Sequence, residues 1–338
     1  VTHVTAEVTL FDPLLGPDGA DAVLRLAEAF GTYRTYSEER TEQNYGDLPQ
    51  RIDAASNYVR TGGRFGRKDE PTAALADRTN YFRETYAYGE DVRAPGIEPF
   101  LHHEGFVEAA RALHGRDVIV PAIVYANLLL PGQELAVHTD VPEFRGANRL
   151  RLPQWLMVVM HHSGRFAEWR MPIATGVAYF GQAVEGAFAY YPDGVDGPAV
   201  ALPVHHDSAV LLDTDTVFHG VDRVGAEGVA VPPLGPAPEL TFVGGDRWSL
   251  QGAADDPVEV RWDDLRFSVS WKAYCFADDA ERQAWADHAD DLTLDVILDR
   301  LEEDLREQGR LDGARPEPRD FASMLIRTYI RFPQPVTA

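Results

Sequence analysis

LLLPGQELAVHTDVP, Leu128 to Pro142, is the stretch on which the reading of the chain turns. An apolar run breaks at Pro131-Gly132 and resumes as an alternating segment ending in His138-Thr139-Asp140. In an extended strand, side chains alternate faces, so His138 and Asp140 project together and Thr139 turns away. One imidazole and one carboxylate on one face make a two-point grip on a divalent metal. A third ligand must come from elsewhere, and His219 in LLDTDTVFHGVDRV, Leu211 to Val224, is the candidate. Two imidazoles and one carboxylate, with other coordination positions open, suit a redox-active divalent metal. The competing explanation is a His–Asp hydrogen bond that stiffens a strand end.

Outward from this stretch the chain reads as short strands between Gly, Pro and Asp. Val118–Leu130 precedes it. Trp155–His161, Thr175–Phe180, Ala187–Tyr191, Ala199–Val204, Ser208–Leu212, Val217–Val224 and Phe267–Phe276 follow. WLMVVMH is a continuous apolar run, read here as a well-buried strand. Many short strands at this spacing predict a sandwich or barrel. With the metal pair early and the third ligand late, the expected fold is α+β with a mainly β core. That core is a double-stranded β-helix, or jelly roll, with flanking N- and C-terminal helices. Residues 1–117 form an N-terminal helical and loop region. Residues 118–276 form the core, with an insertion at 225–263 that is a candidate lid. Residues 277–338 carry the C-terminal helices, and all three belong to one integrated domain.

Within the N-terminal region, Ala20, Val23, Leu24, Ala27 and Phe30 keep helical spacing. Residues 36–78 read as polar loop, and 79–116 as two helices, the second spanning Glu104 to Leu113. At the C-terminus, Asp279–Gln308 and Phe321–Ile330 read as helices, packing on the β-domain or forming a homodimer contact.

Composition narrows the function classes. The 338 residues carry a formal net charge of −23. Such a field repels nucleic acid and anionic membranes, so neither is an expected partner. No apolar run is long enough to span a bilayer. A single cysteine, Cys275, allows no internal disulfide. With no signal peptide evident, a cytoplasmic location is expected.

Arg266 opens LRFSVSWKAYCF. A guanidinium forks two hydrogen bonds to a carboxylate, and a buried one without a partner is costly. The partner is either a carboxylate ligand or one of the chain's many acidic side chains.

IVYANLLLPGQELAVHTD, then FHGVDRV, then RFSVSWKAY, resembles the Fe(II)/2-oxoglutarate-dependent oxygenase superfamily, in its prolyl-4-hydroxylase-like form. The resemblance covers about Val118 to Phe276 and is one of motifs. It implies that His138, Asp140 and His219 hold Fe(II), and that Arg266 pairs with the distal carboxylate of 2-oxoglutarate. Ser268 would assist, and Tyr125 or Asn127 would hydrogen-bond the cosubstrate. It implies oxidation of an unactivated C–H bond with O2, releasing succinate and CO2, the substrate being a small amino acid-like or natural-product-like molecule. One departure stands out. Residues 225–263 separate His219 from Arg266, which leaves Arg223 as a rival for the carboxylate.

Candidate substrate contacts are Arg145 and Arg149, in a chain short of positive charge, with Trp169, Arg170 and Tyr190 on or near core strands. Solvated charge and core packing are the competing explanations. Two other readings compete for the whole chain. One is a cupin-type metalloenzyme, an isomerase or a 2-oxoglutarate-independent dioxygenase. The other is a non-catalytic jelly-roll binding module.

Overall fold

The computed structural model describes residues 6–36, 41–65, 70–253 and 257–336. Its centre is the strand Arg266–Phe276, flanked antiparallel by Val118–Leu129 and Ile173–Phe180. Residues alternate sharply along it. Phe267, Val269, Trp271 and Ala273 are buried in the main apolar core. Arg266, Ser268, Ser270 and Lys272 occupy the other face. The neighbouring Val118–Leu129 strand does the same, with Val124, Ala126 and Leu128 in the core and Tyr125 and Asn127 opposite. A strand with one apolar and one polar face needs helices on one side and a polar site on the other.

The sheet has seven strands: Thr9–Phe11, Ser208–Leu212, Ile173–Phe180, Arg266–Phe276, Val118–Leu129, Phe82–Tyr88 and Asp91–Val92, in that order. On its apolar face lie the helices Pro17–Phe30 and Glu104–His114. Phe106 meets Trp271 at 5.3 Å between ring centroids, and the Trp271 indole donates to the Leu101 carbonyl at 2.7 Å. His103 caps the second helix, accepting from the Phe106 amide. On the polar face lies a four-stranded sheet in the order Val200–Leu202, Phe188–Tyr190, His219–Val221, Leu135–His138.

Several segments differ from expectation. Trp155–His161 is not a strand but part of the helix Gln154–Ser163. Every residue from Gln154 to Met160 is buried, so the helix is apolar all round and leaves no helical period to read. It packs with the C-terminal helices Leu294–Glu307 and Pro318–Tyr329 in a second core. Those helices therefore spend their apolar faces within the chain, against this helix rather than a sheet. The 279–308 segment is two helices, with Thr293 capping the second.

Residues 36–78 are not plain loop. They contain the helices Ile52–Thr61 and Thr72–Thr79, while 37–40 and 66–69 lie outside the described residues. Phe82–Tyr88, expected as helix, is a strand of the large sheet. Its aromatic content and alternation win over the helical reading. Residues 225–263 hold the strands Leu234–Gly244, Arg247–Ala253 and Val258–Arg261, which join Thr32–Arg34 in a third sheet. Trp248, Leu240 and Leu250 are fully buried in the main core, so this segment is anchored on the helix side of the molecule. Residues 254–256 lie outside the described residues. Among the described residues no helix is long and apolar enough to cross a membrane.

Candidate metal centre

The site is built where the two facing sheets meet. Leu135–His138 and His219–Val221 pair antiparallel, with His138 directly opposite His219. The register therefore brings the two rings to 4.5 Å between centroids. His138 Nδ1 lies 2.7 Å from the Ala136 carbonyl, and His219 Nδ1 lies 2.9 Å from the Val217 carbonyl. Each carbonyl can only accept, so both rings carry the proton on Nδ1 and leave the Nε2 lone pair free. Asp140 Oδ1 lies 3.5 Å from His138 Nε2 and 3.8 Å from His219 Nε2. The three donor atoms lie within 4.8 Å of one another.

Asp140 is fixed from its other oxygen. Its Oδ2 accepts from Thr214 Oγ1 at 2.6 Å and from Lys272 Nζ at 2.7 Å, and its amide donates to the Thr214 carbonyl at 2.8 Å. Lys272 also donates to Thr175 Oγ1 at 2.9 Å. Burial alone would raise the Asp140 pKa. The Lys272 ammonium, the largest opposing influence, holds it well below the usual carboxylate range. Burial, helped by His138, pushes His219 down to about 4, so its imidazole is neutral and ready to ligate.

Arg266 closes the other end of the same cavity and is only 2 % exposed. Its Nε donates to the Gly186 carbonyl at 2.7 Å and one terminal nitrogen donates to Ser268 Oγ at 3.3 Å. The other terminal nitrogen, Nη2, is buried with no hydrogen-bond partner among the described residues, and so is Asn127 Oδ1. Burial pulls the Arg266 pKa down, partly offset by Tyr179.

The structure thus gathers His138, Asp140, His219, Arg266, Ser268, Tyr125 and Asn127 around one cavity of about 70 Å3. It brings none of the five candidate substrate residues there. Arg145 pairs with Asp290 at 2.7 Å, and Arg170 pairs with Asp213 at 2.8 Å. Trp169 packs against Arg300 and the second core. Tyr190 packs with Phe188 and Val217 in a third cluster. Arg149 lines an adjoining cavity instead. Arg223 does not line the metal-side cavity, whereas Arg266 does. Sequence reasoning passed over Lys272, Thr214, Thr175 and Arg83. For Lys272 a signal was present, since it extends the same-face series Arg266, Ser268, Ser270 by one step.

No protein-family model and no curated protein matches the chain. Solved structures show a likeness of outline. A prolyl hydroxylase from Trichoplax adhaerens, in complex with a hypoxia inducible factor oxygen degradation domain peptide, matches at 12% identity. The match covers 83% of this chain and 87% of that one, with a TM-score of 0.39. The non-heme alpha ketoglutarate dependent carbocyclase SnoK from nogalamycin biosynthesis matches at 10% identity over 80% of this chain and 81% of its own, with a TM-score of 0.41. HygX from Streptomyces hygroscopicus, with nickel, 2-oxoglutarate and hygromycin B bound, matches at 10% identity over 80% and 84%, with a TM-score of 0.40. At these values the likeness assigns no role to any residue of this chain.

Proposed function

We propose that the chain is an Fe(II)- and 2-oxoglutarate-dependent oxygenase that hydroxylates a C–H bond of a small molecule. One observation carries this reading. Two imidazole nitrogens and a carboxylate oxygen converge at one end of a cavity whose other end holds a buried guanidinium with an uncommitted N–H group. The donor set fits a metal with open coordination positions. The orphaned Arg266 Nη2 fits a carboxylate guest. When bound, iron with 2-oxoglutarate and O2 supplies the oxidation: one oxygen atom goes to the C–H carbon, the other to succinate, and CO2 leaves.

The chain's own part is to bind, orient and exclude water. His138 Nε2, His219 Nε2 and Asp140 Oδ1 would hold the metal. Lys272 and Thr214 keep Asp140 Oδ2 occupied, so Oδ1 is the oxygen offered. Arg266 and Ser268 would take the distal carboxylate, with Asn127 or Tyr125 as a further polar contact. Leu129, Leu135, Phe188 and Val221 supply apolar wall between these points. We read the facing seven- and four-stranded sheets as a double-stranded β-helix. The strands contributed by residues before 118 support the reading of one integrated domain.

What favours this over a cupin-type centre is that no further imidazole joins the ligand group among the described residues. What favours it over a non-catalytic module is the orphaned guanidinium beside an intact donor triad. The test is release of succinate from 2-oxoglutarate by the Fe(II)-loaded protein in air. Slow uncoupled release, absent in His219→Ala, is the expected result; no release from the iron-loaded wild type contradicts the reading.

A further inference from the structure

We propose that Arg83 is the anchor for a carboxylate group of the substrate, docked beside the metal-side cavity between tyrosine rings. This rests on the oxygenase reading and names the substrate class of that same site.

Arg83 lies on the strand Phe82–Tyr88, paired in register with Asn127, which in turn pairs with Ser268. It lines both the metal-side cavity and an adjoining one of about 330 Å3. The smaller cavity suits the cosubstrate, and the larger offers room for a second organic molecule. Arg83 stands at their junction.

Its environment is unlike that of the other arginines around the larger cavity. Arg34 pairs with Glu239 and Glu84, Arg93 pairs with Asp91, and Arg149 pairs with Glu143. Arg83 has no carboxylate within ion-pair distance among the described residues. It has rings instead. Its guanidinium carbon lies 3.6 Å from the Tyr125 ring centroid and 4.9 Å from that of Tyr36, and Tyr36 stacks on Tyr81 at 6.1 Å. Stacking engages the faces of the guanidinium. The N–H groups lie in its plane, where Tyr81 meets part of their hydrogen-bonding capacity and a planar, two-oxygen acceptor can approach the rest. A carboxylate fork in the guanidinium plane, flanked by rings, meets every one of these features.

The probe is benzoate, a carboxylate on a ring that suits the tyrosine walls, compared with benzamide. Binding is read by saturation-transfer NMR on the Fe(II)-loaded protein, held anaerobically at saturating 2-oxoglutarate so that the Arg266 end is filled. The 2-oxoglutarate charge-transfer absorption is recorded on the same samples. The expected result is that benzoate binds, benzamide binds about tenfold or more weakly, and Arg83→Gln loses benzoate while keeping the absorption band. Arg83→Lys, which keeps charge but not the planar fork, should retain only part of the affinity. Three results overturn the proposal: equal binding of benzamide, unchanged benzoate binding in Arg83→Gln, or loss of the 2-oxoglutarate band in that variant. The last would make Arg83 a cosubstrate residue. Absence of the band in the wild type would instead sink the oxygenase reading itself.

Discussion

Lys272 Nζ sits 2.7 Å from Asp140 Oδ2, on the side of the carboxylate away from the two imidazoles. Lys272 is only 3 % exposed, and Asp140 is partly buried. The pair decides which oxygen of Asp140 is free to bind a metal. Removing one partner of such a pair leaves a buried uncompensated charge, at a cost of about 3–5 kcal/mol. Lys272→Met should therefore destabilise the metal-free protein by about that amount in urea unfolding. It should also lower metal affinity by about 10–100-fold, the usual loss when an outer partner of a ligand is removed. Added divalent metal should recover part of the lost stability, because the metal replaces the missing positive charge. Unchanged affinity would mean that Lys272 does not orient Asp140.

Gly186 has φ +76°, and a Cβ there would stand 2.8 Å from Arg266 Cδ. The same glycine's carbonyl accepts from Arg266 Nε. Gly186→Ala thus meets both backbone strain and a clash with the guanidinium stem. The expected outcome is a weaker hold on 2-oxoglutarate, read as a KM raised about tenfold or more, with metal binding intact. A variant that loses metal and cosubstrate together would show that the strain spreads beyond Arg266.

His161 and His162 end the buried helix Gln154–Ser163. Burial pushes the first down to about 3 and the second to about 4, with Arg170 adding to the effect on His161. An unfolded imidazole titrates near its ordinary value of about 6.5. As pH falls, the unfolded chain takes up these protons before the folded one does, so folding stability is complete above about pH 6.5 and declines below it. The loss is up to about 2 kcal/mol per imidazole near pH 5. His162→Phe, which keeps the ring packing against Phe218, should flatten this acid limb in urea unfolding at pH 7.5 and pH 5. An unaltered limb would place the sensitivity elsewhere.

Local alternation made the metal residues and the Arg266 strand legible in the sequence. His138, Asp140 and the Arg266 series follow the two-residue period of a strand, and that signal survives without any knowledge of the fold. The pairing of His138 opposite His219 is a register, set by chain segments far apart, and no local pattern encodes it. The helix Gln154–Ser163 was illegible for the opposite reason. A segment buried on all sides carries no polar face, so strand and helix read alike. Arg83 was hidden because FRETYAY was assigned to a helix, which scatters its side chains to the wrong faces. Arg145 drew attention as a positive charge in an acidic chain and Arg170 as a neighbour of core strands, and the structure pairs both with neighbouring carboxylates.

The most direct measurement is anaerobic titration of the Fe(II)-loaded protein with 2-oxoglutarate, followed by visible absorption. A weak charge-transfer band should grow to saturation. Asp140→Ala should lose it through loss of the metal, and Arg266→Ala should require far more cosubstrate to reach it. Iron binding with no band at any 2-oxoglutarate concentration would contradict the account and leave the triad as a metal site of another kind.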